Sequence, residues 1–111
     1  MTISLVIPAY NEAAFIGACL DSAIANTHGK LQQILVVDNA STDATAEIAK
    51  QRTGATVIRE DKKGTGHARQ TGLEHATGDI VVYIDADTKV PSGWIEQIEK
   101  AFEDPEVVLL S

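Results

Sequence analysis

Short runs of β-branched and aliphatic residues alternate along the chain with longer stretches whose apolar positions recur at helical spacing. Residues 3–7 form an apolar run closed by Pro8, and residues 34–37 form a second closed by Asp38 and Asn39, so both read as central strands. Residues 55–59 read as a shorter, more polar strand, residues 80–84 as the most apolar and most buried, and residues 107–110 as a fifth. Phe15, Ile16, Cys19, Leu20, Ala23 and Ile24 mark the buried stripe of a helix starting near Glu12. Ser41 or Thr42 can cap a second helix, with Asp43 in its first turn and Ala44, Ile48 and Ala49 facing inward. A third helix, over residues 65–76, packs through the small residues Ala68 and Gly72 and is stopped by Gly78. Pro91 and Ser92 open a fourth, with a stripe of Trp94, Ile95, Ile98, Ala101 and Phe102. Strands alternating with helices predict an α/β fold: a doubly wound, mostly parallel sheet with helices on both faces.

Composition narrows this picture without altering it. The 111 residues suit one modest domain over 1–111, and 44% hydrophobic with 23% charged residues is ordinary globular usage. The net charge of −7 would repel a phosphate backbone, so no nucleic-acid partner is expected. An anionic ligand such as a nucleotide diphosphate would then need a divalent cation between itself and the protein. The single cysteine, Cys19, falls on a buried stripe and fits a reducing compartment. No run approaches the roughly 18 apolar residues of a membrane span, and the N-terminus has no basic region ahead of its apolar run. The expectation is a soluble cytoplasmic chain, with attachment to the inner face of the membrane left open through regions outside it.

In an open doubly wound sheet, ligands bind beyond the carboxyl ends of the strands. Three such ends are conspicuously polar: residues 8–12, residues 38–43 and residues 85–87. Asp85 and Asp87 stand two apart, so in an extended segment their carboxylates leave one face and can share a cation. Two carboxylates make an incomplete shell, which magnesium or manganese would complete with water and substrate phosphates. Taken alone, the pair also reads as two solvated loop acids. Asp38 is placed to accept a hydrogen bond from a base or ribose, or to serve a turn, and Tyr10 to stack on a base or to anchor its loop. Residues 62–69 join a glycine turn to cations ahead of a helix N-terminus, although they lack the third glycine of a dinucleotide fingerprint. His28, His67, His75 and Cys19 show no metal-ligand spacing.

Together, residues 6–12, 36–43, 63–69 and 78–87, in this order and spacing, closely resemble the family 2 glycosyltransferases of the GT-A fold. The resemblance covers essentially the whole chain. It implies the Rossmann-like nucleotide-binding half of that fold and transfer, with inversion, of a sugar from a nucleoside diphosphate sugar to an acceptor hydroxyl, aided by Mn2+ or Mg2+. It leaves the acceptor open among polysaccharide, lipid and protein glycan. By the same resemblance Pro8, Ala9, Tyr10 and Glu12 line the nucleoside pocket, Asp38 hydrogen-bonds the base, and Arg69 contacts the nucleotide. Asp87 becomes the direct metal ligand, and Asp85 holds the ribose or a water on the metal. Asn39 stands where many members carry a second Asp and cannot ionise. The family's general base and most of its acceptor site lie well after the Asp-x-Asp, so a donor-binding portion without its catalytic base is expected, as a fragment or a natively short chain.

Two other functions compete for these residues. Asp85-Ala86-Asp87-Thr88 also fits the Asp-x-Asp-x-Thr of haloacid-dehalogenase-like phosphatases, with Asp85 as nucleophile, but that motif normally follows the first strand. A nucleotide-binding module that performs no transfer is the non-enzymatic alternative. A sheet ending at residues 107–110 would also present an unpaired apolar edge open to self-association.

Overall fold

The structure, a computed structural model, describes residues 1–103. Four strands, β1 (Ile3–Ala9), β2 (Leu31–Asp38), β3 (Ala55–Arg59) and β4 (Ile80–Tyr83), form one sheet in the order β3-β2-β1-β4. Every neighbouring pair is parallel. The helices α1 (Ile16–Asn26), α2 (Thr45–Lys50), α3 (Thr65–His75) and α4 (Trp94–Glu103) complete the alternation. Two crossovers step from β1 outward to β3, and the third returns to the far side of β1. Strand order therefore reverses between β1 and β4, where a doubly wound sheet opens a crevice at its carboxyl edge.

Alternation along β1 divides the core into two layers. Leu5, Ile7 and Ala9 pack with Ile16, Cys19, Leu20 and Ala23 of α1, Ala49 of α2 and Val90. On the opposite face Val6 joins Leu35, Val37 and Ala68 of α3. At the amino end of the sheet Ile3, Ile80 and Ile95 tie α4 in. The small residues expected on α3 allow a close approach: a Cβ on Gly72 would stand 2.3 Å from Val6 Cγ1.

Several sequence expectations need correction. The helix read from near Glu12 begins at Ile16 after a turn closed by Phe15 N–H and Ile16 N–H on Glu12 C=O, which leaves Phe15 outside the stripe and exposed. Ile24 and Phe102 are also exposed. Ala44 precedes α2 and is exposed, and the buried residue there is Thr45. β4 is less buried than β1, because among the described residues it is an edge strand with one neighbour. Gly78 does not stop α3, which ends at His75. Its N–H donates to Ser4 Oγ at 2.8 Å, and an added Cβ would lie 2.7 Å from the Ser4 backbone nitrogen, so Gly78 permits a close approach to β1. The strand expected at residues 107–110, and with it the open edge, lies outside the described residues.

Cys19 is buried in the α1 layer as the stripe predicts. Burial pushes its thiol up from an ordinary 9.0 to about 11, with the negative charge of Asp87 adding to the rise. The folded thiol keeps its proton where an unfolded one would lose it, so its contribution to stability is intact below pH 9.0 and disappears as the pH climbs toward 11. At a pH below the ordinary thiol value, Cys19 should resist a thiol-disulfide reagent until denaturant is added. Rapid labelling of the native chain would contradict its buried placement.

Candidate functional site

A cleft of about 620 Å3 opens at the carboxyl edge between β1 and β4. Pro8, Ala9, Tyr10 and Glu12 form one wall, Thr65, Ala68 and Arg69 of α3 another, and Tyr83 with residues 84–88 a third. Seven of the residues singled out from sequence, Pro8, Ala9, Tyr10, Glu12, Arg69, Asp85 and Asp87, thus meet around one cavity.

Asp38 does not line it. Alternation along β2 puts Asp38 on the same side as Val36, facing a smaller recess of about 180 Å3 shared with Ser41, Asp43 and Arg59. At 2% exposure its carboxylate is fully engaged: Oδ1 accepts the Ser41 N–H at 3.2 Å, and Oδ2 pairs with Arg59 Nη1 at 3.3 Å. The next residue, Asn39, turns into the large cleft instead.

The loop after β1 is held by the loop after β2. Asn11 N–H donates to Ser41 Oγ (3.0 Å), and Asn11 Oδ1 accepts Thr42 N–H (2.8 Å). Glu12 N–H donates to Thr45 Oγ1 (2.9 Å) and Ala13 N–H to Asp43 Oδ2 (3.3 Å). Asp43 also accepts the Thr45 N–H at 3.0 Å and the Thr45 hydroxyl. Those bonds, led by the Thr45 hydroxyl, hold its carboxyl below the ordinary carboxylate value. Ser41, Thr42 and Asp43, read from sequence as helix caps and first turn, therefore brace the Tyr10 loop; the residue ahead of α2 is Ala44, which makes no side-chain cap. Two residues here take left-handed backbone conformations, Asn11 at φ 52° and Ala40 at φ 61°. Such strain persists only where surrounding bonds over-determine the backbone.

Tyr10 is 45% exposed at the cleft mouth. Lys63 Nζ lies 5.2 Å from its centroid and 3.5 Å from its hydroxyl. Across the cleft Arg69 stacks over Tyr83 with 5.4 Å to the centroid, and Tyr83 Oη donates to Arg69 C=O. Each cation thus stands beside an aromatic ring at the cleft.

Asp85 and Asp87 do not occupy an extended segment as expected. β4 ends at Tyr83, and residues 85–88 form a turn closed by Thr88 N–H on Asp85 C=O at 3.0 Å. Ala86 and Val90 are buried beneath it. Ser22 Oγ accepts the Val90 N–H (2.8 Å) and Asn26 Nδ2 donates to Val90 C=O (2.7 Å), which fastens the segment to α1. Both carboxylates are exposed on the cleft. Among the described residues no group of three or more His, Cys, Asp or Glu converges on a common point. This donor set does not suit a closed structural site. It fits a hard cation that takes its other oxygens from water and a bound phosphate, as magnesium and manganese do.

The model of the family described as "Glycosyl transferase family 2" matches residues 4–111. The chain belongs to glycosyltransferase family 2. Glycosyltransferase AglE of Haloferax volcanii is 38% identical over 101 residues, covering 86% of this chain and 33% of that protein. Glucosyl-3-phosphoglycerate synthase of Mycobacterium tuberculosis, solved with Mn2+, UDP and glucosyl-3-phosphoglycerate, superposes with a TM-score of 0.74 at 35% identity, covering 86% of this chain and 37% of that one. TarS of S. aureus (residues 1–349) gives a TM-score of 0.81 at 25% identity, covering 93% of this chain and 32% of that one. The four-stranded parallel sheet is accordingly that of the GT-A glycosyltransferases, and this chain spans about a third of the length of AglE. No described helix is long and apolar enough to cross a membrane.

The sequence places Asn39 and Thr65 only within the stretches 38–43 and 62–69, without singling out either for the cleft, and does not mark Tyr83 as a cleft residue. Tyr83 carried a usable signal: an aromatic at the last position of a strand whose next polar residues line the site. Asn39 carried one too, as an amide where many family members have an acid.

Proposed function

We propose that this chain is the donor-binding portion of a metal-dependent, inverting family 2 glycosyltransferase that takes its sugar from a nucleoside diphosphate sugar. The observation that carries the reading is the cleft at the strand-order reversal, which gathers Tyr10, Arg69 and two neighbouring carboxylates. It is supported by a relative whose crystal holds Mn2+ and UDP.

In this reading Tyr10 stacks on the base, and Arg69 with the first turn of α3 contacts the nucleotide. Asp38 stays outside this cleft, facing the neighbouring recess and paired with Arg59. Asp87 and Asp85 hold the cation, Mn2+ or Mg2+. Bound there, the cation neutralises charge growing on the departing diphosphate. Pro8 and Ala9 keep the floor narrow beside the nucleoside, and Glu12 borders it. An acceptor hydroxyl attacks the sugar carbon from the face opposite the diphosphate: the new C–O bond forms as the bond to phosphate oxygen breaks. The proton goes to a base that the reading places outside residues 1–111, in keeping with relatives about three times as long. The acceptor is a saccharide, lipid or protein glycan hydroxyl.

The test is release of nucleoside diphosphate from UDP- and GDP-sugars by the whole protein, with a panel of acceptor hydroxyls. Release with at least one donor, abolished by EDTA, is expected. Tyr10→Ala should raise KM for that donor about tenfold or more, as loss of one stacking contact costs about 1–3 kcal/mol. Metal-independent release, or none with any donor, would count against the proposal.

A further inference from the structure

The turn that carries Asp85 and Asp87 is suspended between two anchors. At its near end Ile84 N–H donates to Val6 C=O at 3.2 Å, which ties the residue after β4 to β1. At its far end both polar groups of the Val90 backbone are taken by side chains of α1: Ser22 Oγ accepts the N–H at 2.8 Å, and Asn26 Nδ2 donates to the C=O at 2.7 Å. Ser22 and Asn26 stand four apart, on one face of the helix. The Ser22 hydroxyl gives its own proton to Cys19 C=O at 2.8 Å, so its rotamer is committed to α1 and its lone pair is left for Val90. Between the anchors, among the described residues, one further hydrogen bond reaches the backbone of the turn from outside it, a weak one from Cys19 Sγ–H to Asp85 C=O at 3.8 Å. The same helix follows directly on the wall formed by Tyr10 and Glu12.

We propose that Ser22 and Asn26 are positioning residues of the cation site: by fixing the Val90 backbone from behind, they set where Asp85 and Asp87 present their carboxylates, and so set affinity for the divalent cation. The inference rests on the donor-binding reading above. Both acids are exposed, and among the described residues no hydrogen bond or ion pair holds either carboxylate, so the backbone beneath them carries their placement. Burial of the Val90 side chain fixes the depth of the segment in the core. The directional bonds to its N–H and C=O add the rotation, which apolar packing leaves looser. A cation that draws the rest of its oxygens from water and phosphate has only these two protein carboxylates to lose, so a small displacement of either removes much of the protein's hold.

The test titrates Mn2+ into the whole protein with excess UDP and reads bound metal from the loss of the electron paramagnetic resonance signal of free Mn2+. The variants are Ser22→Ala, Asn26→Leu, the two combined, and Ser4→Ala as control. Ser4 bridges in the same manner at the amino end of the sheet: its hydroxyl donates to Gln33 Oε1 at 2.6 Å and accepts the Gly78 N–H at 2.8 Å. Ser22→Ala and Asn26→Leu should each raise the Mn2+ needed for half-saturation by about threefold or more, and the pair by about tenfold or more, the lower end of what groups supporting metal ligands command. Hydrogen exchange at the Thr88 and Val90 amides should accelerate while amides of β1 and β2 stay protected. Ser4→Ala should lower the unfolding temperature and leave Mn2+ affinity unchanged. A merely structural role would make Mn2+ affinity follow unfolding temperature in all the variants, Ser4→Ala included. That outcome, or unchanged Mn2+ affinity in the combined variant, overturns this inference alone. No uptake of Mn2+ by the wild type with UDP overturns the donor-binding reading and this inference with it.

Discussion

Asp87→Asn is expected to leave the fold intact and to weaken metal-dependent nucleotide binding by about a hundredfold or more. The substitution keeps the size of the side chain and removes one of the two neighbouring carboxylates of the Asp85–Asp87 turn. The turn that presents it is closed by backbone atoms, Thr88 N–H on Asp85 C=O, and anchored from below by Ala86 and Val90. Among the described residues, no hydrogen bond or ion pair that holds the turn uses the Asp87 carboxylate. Among the described residues no third acid converges with Asp85 and Asp87 to compensate, and the cation's stabilisation of a phosphate oxyanion is worth several kcal/mol, about a factor of ten for each 1.4 kcal/mol. The comparison to make is UDP affinity with Mn2+ and with EDTA, for wild type and variant, alongside thermal unfolding. The variant should behave in Mn2+ much as the wild type behaves in EDTA, at an unchanged unfolding temperature. A variant that keeps the full benefit of the metal would remove Asp87 from the cation site.

Gly72→Ala is the second large effect, and its direction opposes helix propensity. In an exposed helix the change would stabilise by about 1 kcal/mol. Here the new methyl would lie 2.3 Å from Val6 Cγ1 and 3.4 Å from Val37 Cγ2, both on fully buried residues of the two central strands. Neither β-branched side chain can rotate away, so α3 must lift from the sheet. Overpacking of this kind costs about 1–3 kcal/mol, and in a domain of this size each kcal/mol is about 4–8 °C of unfolding temperature. Because α3 carries Thr65, Ala68 and Arg69, donor affinity should fall with stability. Val6→Ala makes room for the methyl, so in that background Gly72→Ala should be close to neutral. An unfolding temperature that rises in the single variant would mean that α3 does not approach the sheet as closely as described.

These two positions also mark what the sequence made legible. The small residues of α3 and the apolar runs of β1 and β2 are local patterns with a period, and the layers follow from them directly. Strand order has no such local signature; the return of β4 to the far side of β1 is a consequence of packing. The polar residues after β2 were placed at the correct edge but partly given other duties. Ser41, Thr42 and Asp43 have the chemistry of helix caps, and a cap and a long-range brace use the same acceptors. Only the folded chain brings Asn11, Glu12 and Ala13 near enough to claim them. Of the adjacent pair Asp38 and Asn39 the sequence singles out the acid, and the pleat of the strand turns the amide into the cleft and the acid toward Arg59. The Asp-x-Asp was read as an extended pair. The turn that replaces it depends on Ala86 and Val90 being drawn under the segment by α1, an interaction invisible at the motif itself.

The central claim is that this cleft binds a nucleoside diphosphate through a cation held by Asp85 and Asp87. Titration calorimetry of the protein with UDP and with GDP, each with and without Mn2+, tests it most directly. Saturable binding of at least one nucleotide at millimolar concentration or below, present with Mn2+ and lost with EDTA, is the expected result. Binding of equal strength with and without the metal, or no binding of either nucleotide, would contradict it.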